Sequence, residues 1–157
     1  SRIDYRVNPP LREKEDIRAL IQAIKDGYVD AIGTDHAPHS QEDKINGSPG
    51  ISGIETSFSI CYTILVKQNN MSLSQLSAIM SAKPAKLLSI KKGLIQKGYA
   101  GDIVLVDEDA SYVIDSEDFE SKGKNTPFNG LSVYGKVIMT IKAGKVVYEG
   151  GEGHDRR

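Results

Sequence analysis

The sequence predicts an α/β chain in two parts: a strand–helix–strand unit with further helices behind it, then a β-rich section. Residues 3–35 run strand, helix, strand with connections of a few residues, the order of a right-handed βαβ unit with parallel strands. From Ile54 to Leu88 apolar residues recur at helical spacing. After Lys91 the pattern changes to short β-branched runs punctuated by Gly93, Gly98 and Gly101. The expected division is therefore 1–91 for the α/β part, 92–149 for the β-rich part and 150–157 for a disordered tail.

Taken in order, Ile3, Tyr5 and Val7 alternate with Asp4 and Arg6, a period-two strand that Asn8-Pro9-Pro10 stops. Ile17, Leu20, Ile21 and Ile24 then make one helical face, behind first turns loaded with Glu13, Glu15 and Asp16, which suit the positive end of the helix dipole. Gly27 closes this helix. The next apolar run, 29–33, ends at Thr34-Asp35-His36-Ala37-Pro38-His39. Polar groups bunched beyond a buried strand are where parallel α/β folds place function, and parallel order would bring Asn8 and Asp35 to one rim. Asp also follows strands simply as a turn or capping residue, so the pattern alone leaves both roles open.

Residues 40–57 form a polar connection with Gly47, Pro49, Gly50 and Gly53, either a flexible surface loop or one whose backbone approaches a ligand closely. Ser72-x-x-Gln75 is a capping box opening a further helix, and Pro84 starts a short helical piece. In the β-rich part, 103–106 and 112–114 are expected strands, and 137–141 with 146–148 flank Ala143-Gly144 as a hairpin. Residues 115–130 are an expected polar connection in which Lys122 and Lys124, like Lys136 beyond it, are solvated.

Composition excludes several classes. Lys plus Arg number 20 against 21 Asp plus Glu, with no basic block, so nothing electrostatic supports binding to nucleic acid or to an anionic membrane. No apolar run approaches the roughly 20 residues of a membrane-spanning helix. The single cysteine, Cys61, lies in an apolar helical pattern and is expected to be core filler in a reducing, cytoplasmic setting. His36 and His39 are only three apart with a proline between them, and no complete zinc site can be assembled from residues nearby. The chain begins with Ser1 inside an expected strand, which suggests a piece of something larger.

Three motifs in order, Val7-Asn8-Pro9-Pro10-Leu11-Arg12, Thr34-Asp35-His36-Ala37-Pro38-His39 and Pro49-Gly50-Ile51-Ser52-Gly53-Ile54-Glu55-Thr56, resemble the carboxyl-terminal third of a dihydroorotase of the long bacterial and archaeal kind. Lys83-Pro84-Ala85-Lys86 and Gly101-Asp102-Ile103-Val104-Leu105-Val106-Asp107 resemble the closing segment of the amidohydrolase superfamily. The resemblance implies the C-terminal part of a (β/α)8 TIM barrel, residues 3–7 as strand seven and 31–34 as strand eight, with residues after Lys92 in a small β-sandwich domain. It implies zinc-dependent, reversible hydrolysis of the cyclic amide of dihydroorotate to N-carbamoyl-aspartate in pyrimidine biosynthesis. Asp35 would then be zinc ligand and catalytic proton carrier, Asn8 and His39 would contact substrate, and Pro49 and Gly50 would offer backbone contacts. His36 and Arg12 stay as neighbours of the site. The remaining zinc ligands are expected upstream of Ser1, so this chain alone is expected to be inactive. Implied partners are the small-molecule substrate, the missing N-terminal part of the same protein and a second copy in a homodimer. The alternatives are a non-catalytic dihydroorotase-like subunit supporting aspartate carbamoyltransferase, or another cyclic amidohydrolase acting on hydantoin or allantoin.

Overall fold

A computed structural model describes residues 3–150. Helix α1, Lys14–Lys25, forms where the sequence places it: the Asp16 carboxylate accepts the Glu13 amide at the N-terminus, and Gly27, at φ 85°, ends it. Two short helices follow, α2 at Gln41–Ile45 and α3 at Ser57–Cys61, the latter continuing as a π-helical stretch, Tyr62–Gln68. Helix α4, Leu73–Ser77, opens with the expected Ser72–Gln75 capping box and runs through a π-helical stretch, Ala78–Ala82, into α5, Lys83–Leu87.

The helical core is Tyr62, Leu65, Met71, Leu76 and Ile79, with Ile21, Ile24 and Ile32 packed against it. Only half of the predicted α1 face is therefore used. Ile17 and Leu20 are 50% and 56% exposed, because no described element lies over that end of the stripe.

The β-rich part is an antiparallel three-stranded meander: β1 Ile103–Val113, β2 Ser132–Lys142 and β3 Lys145–Glu149. The two strands expected at 103–106 and 112–114 are one strand, bent by a register shift between Asp107 and Ser111. The expected hairpin turns at Ala143 and Gly144, both at positive φ (49° and 78°). Gly150, placed by the sequence at the head of the tail, donates its amide to Ile138; the rest of that tail, 151–157, lies outside the described residues.

Helices and sheet are bonded together. Ser59 Oγ donates to the Gly135 carbonyl at 2.7 Å, the Tyr134 amide donates to Thr63 Oγ1 at 2.8 Å, and Tyr112 Oη donates to Ser59 Oγ. Gly135 is the close approach that permits this docking: at φ 79°, a Cβ there would stand 2.7 Å from Tyr62 Cδ1.

The parallel βαβ unit is where the structure departs from expectation. Residues 3–5 form one 3-10 turn, and 29–35 belong to no ladder; the parallel pairing found among the described residues outside the meander is one bridge, His36 to Ile51. A strand exists through its neighbours, since an unpaired extended segment has no ladder to join. The run 29–35 instead attaches to helices through Ile32 N–H donating to the Ile79 carbonyl, and through Lys83 Nζ, which reaches the Val29 carbonyl and, at 3.4 Å, the Asp30 carboxylate.

Candidate functional site

Asp35 stands at the end of the 29–35 run, exposed, with φ 44°. An L-residue adopts this left-handed backbone at some cost, least for Asp and Asn, so the residue type and its conformation agree. Among the described residues its carboxylate has no hydrogen-bond or ion-pair partner, which leaves both oxygens to face a ligand.

Immediately beyond it the chain becomes densely bonded. His36 Nδ1 accepts the amides of Gly53 and Ile54 at 3.2 and 3.3 Å, so its ring proton sits on Nε2. Left as a neighbour of the site by its sequence position, His36 is the pin between the 36–39 turn and the glycine-rich loop. Ala37 N–H donates to the Ile51 carbonyl on the same seam. His39 Nε2 lies 2.9 Å from the Pro49 carbonyl, and a carbonyl only accepts, so Nε2 carries the proton and Nδ1 is the nitrogen that can face a ligand.

The structure thus brings together His39, Pro49 and Gly50 at one corner. Gly50 belongs there for steric reasons: at φ 138°, an added Cβ would meet Ala37 Cβ at 2.7 Å and His39 Nε2 at 3.0 Å. Its backbone is already committed. The Gly50 amide donates to the Arg6 carbonyl, while its own carbonyl accepts from Lys44 Nζ at 2.8 Å and from Asn125 Nδ2 at 3.0 Å. The expected backbone contact to substrate therefore rests on the Pro49 carbonyl's second lone pair, and not on the Gly50 amide. Asn8, two residues past Arg6, is exposed and precedes a cis peptide bond to Pro9; no described contact joins it to Asp35.

Two participants escape a reading of the sequence. Lys44 lies in α2 among charged neighbours and looks solvated, yet it is 3% exposed and donates to the carbonyls of Arg6, Ser48 and Gly50. A buried ammonium needs such partners, and three carbonyls match its three protons. The second is the 115–130 connection, which folds onto the loop. Ser52 N–H donates to the Asn125 carbonyl, Ser52 Oγ to the Gly123 carbonyl, and the Glu55 carboxylate accepts the amides of Glu120 and Ser121 at 2.8 and 3.0 Å. Lys124, expected to be solvated, is half-buried and donates to the Glu117 and Phe119 carbonyls. The Asn125-x-Pro127 sequence, just ahead of the 127–130 turn, is the one sequence signal that could have drawn attention here; for Lys44 there was none.

Local charge follows the same geometry. Hydrogen bonds from the Ser40 hydroxyl and amide hold the Asp43 carboxyl below its ordinary range and start α2. Burial raises the Cys61 thiol, which keeps it inert core filler. A cleft of about 510 Å³ borders this corner through His39, Lys44 and Asn125 but is not lined by Asp35 or Asn8. Two of the three lysines lining the cleft, Lys44 and Lys124, are occupied by backbone carbonyls.

A metal centre needs three or four donors, and no group of three or more His, Cys, Asp or Glu among the described residues could hold one.

The family model described as the amidohydrolase family matches residues 6–147. The chain belongs to that family. Its fold is accordingly of the amidohydrolase, TIM-barrel type. Among similar amidohydrolases, a dihydroorotase of Clostridium botulinum (strain Eklund 17B / Type B) is 57% identical over 146 residues, covering 93% of this chain and 37% of that protein. A dihydroorotase of Bacillus subtilis (strain 168) is 49% identical over 152 residues, covering 94% and 36% respectively. Among solved structures, an L-hydantoinase (dihydropyrimidinase) from Arthrobacter aurescens superposes with a TM-score of 0.90 at 36% identity, covering 96% of this chain and 36% of that one. The chain spans little more than a third of the length of these amidohydrolases. No helix among the described residues is long and apolar enough to cross a membrane.

Proposed function

We propose that the longer protein to which this amidohydrolase segment corresponds is a dihydroorotase, acting in the cytoplasm on dihydroorotate and N-carbamoyl-aspartate. The observation that carries the reading is the corner itself. His39, Pro49 and Gly50 meet four residues past Asp35 in a chain 57% identical to a dihydroorotase. In that longer protein the 29–35 run acquires strand neighbours as one stave of the barrel, and the meander joins a small sandwich.

Asp35 has the attributes the reaction asks of it. Opening a cyclic amide requires removing a proton from the attacking water and delivering one to the departing ring nitrogen. An exposed carboxylate can take the first proton on one oxygen and return it to that nitrogen. The same carboxylate suits zinc as an oxygen donor; when bound, zinc would polarise the amide carbonyl, with its other ligands in the part of the relatives' length that this chain does not span. His39, anchored through Nε2–H, presents Nδ1 to the substrate, and Asn8 offers an amide side chain.

The test is zinc content and dihydroorotate hydrolysis in the longest natural product of the reading frame, beside the 157-residue chain. Zinc and turnover in the longer product alone is the expected outcome; a longer product with neither sinks the reading in favour of a non-catalytic subunit. Turnover of hydantoin in preference to dihydroorotate would favour the second reading, which the hydantoinase superposition keeps in view. Light scattering on the same sample tests the expected homodimer, and mixing it with aspartate carbamoyltransferase tests the assembly role.

A further inference from the structure

The corner is held by side chains that bond to the backbone of His39 and Gly50. Asn125 reaches in from the 115–130 connection and uses both ends of its amide: Oδ1 accepts the His39 backbone N–H at 2.9 Å, and Nδ2 donates to the Gly50 carbonyl at 3.0 Å. Beneath it Lys44, buried, donates to the same Gly50 carbonyl and to Arg6 and Ser48. Gly123 completes the fit, since a Cβ there would come within 2.9 Å of His39 N.

From this geometry we infer that Asn125 is a positioning residue for substrate binding, fixing the His39 main chain against the Pro49–Gly50 turn so that His39 Nδ1 is aimed before the substrate arrives. The inference rests on the dihydroorotase reading and extends it to the β-rich part of the chain. The physical argument is one of two anchors. The His39 ring is tied at its far end by Nε2–H to the Pro49 carbonyl. A ring tied at one end still swings if its backbone moves, so the second anchor, at the amide, converts a tether into a fixed direction. An asparagine alone among the small polar residues offers an acceptor and a donor from one rigid plane, which is what two groups of opposite polarity, an N–H and a C=O, require. Lys44 serves the fold by donating to three carbonyls; among the described residues Asn125 is the side chain bonded to both His39 and Gly50.

Two measurements on the longest natural product test this. In Asn125→Ala, amide hydrogen exchange at His39 should rise about tenfold or more as its acceptor is lost, and KM for dihydroorotate should rise about tenfold with kcat changed less than about threefold. Asn125→Asp, nearly isosteric, keeps an acceptor for His39 N–H but sets an oxygen against the Gly50 carbonyl. It should restore His39 protection while leaving KM raised. A merely structural role would lower the unfolding midpoint and the active fraction, and so kcat, with KM unmoved; that pattern, or unchanged exchange at His39, overturns the inference. If the unsubstituted protein does not turn over dihydroorotate at all, the functional reading fails, and the exchange measurement still decides whether Asn125 anchors His39.

Discussion

Residues 29–35 and residues 36–56 are neighbours in sequence and are held in opposite ways. The first run is held to the rest of the described chain by the packing of Ile32 on the helical core, one backbone bond, Ile32 to Ile79, and the Lys83 contacts, and it ends in an exposed Asp35 with no partner among the described residues. The second is anchored at many of its polar groups, by His36, His39, Lys44, Ser52 and Glu55 within it and by Gly123 and Asn125 from far along the chain. The difference teaches that a loop can carry its own instructions when its side chains satisfy its backbone, whereas a strand depends on what lies beside it. Among the described residues the loop is the densely bonded part of this region and the 29–35 run the sparsely bonded one.

Substitutions in the two runs should therefore fail in different ways. The largest effect is expected at Asp35: in the longest natural product Asp35→Asn should cut dihydroorotate hydrolysis by about a thousandfold. Its unfolding free energy should stay within about 0.5 kcal/mol of the parent, since an exposed carboxylate without partners holds nothing together. A substantial drop in stability by denaturant titration would break the contrast. Lys44→Met should do the reverse in kind, costing about 3 kcal/mol of stability because three carbonyls lose a charged donor in a buried place. Chemical denaturation measures this directly, and a neutral result would mean that water replaces the ammonium.

Gly123→Ala sharpens the comparison further. Its Cβ would meet Pro38 Cβ at 2.7 Å and His39 O at 2.9 Å, so about 1–3 kcal/mol of overpacking should appear, again in unfolding experiments. The smallest effect belongs to the β-rich part. Asp102 is held below its ordinary value of 3.8, first by the hydrogen bond from Lys92 and then by the Ala143 amide. Because the folded carboxylate has the lower pKa, its contribution is fully present above 3.8 and is lost as pH falls through the folded value. Unfolding midpoints of the parent and Asp102→Asn should therefore converge on acidification below 3.8; parallel curves would show that the Lys92–Asp102 pair is irrelevant.

Much of this was legible in the residues. Helix α1, the Ser72–Gln75 box, the Ala143-Gly144 turn and the ordered motifs around Asn8, Asp35 and Pro49 each follow from local rules or from resemblance, because capping, turn geometry and motif order depend on residues close in sequence. The exposure of Asp35 at the end of its apolar run belongs with these, since an apolar run ending in Asp signals its own boundary. Tertiary structure alone decided the rest. It left half of the α1 apolar stripe uncovered and 29–35 outside any ladder, and it made Lys44 and Asn125 the struts of the corner. The reason is that burial and hydrogen-bond partnership are pair properties. Lys44 acquires its meaning from the carbonyl of Arg6, 38 positions away, and Asn125 from the amide of His39, 86 positions away, separations at which no local pattern carries information.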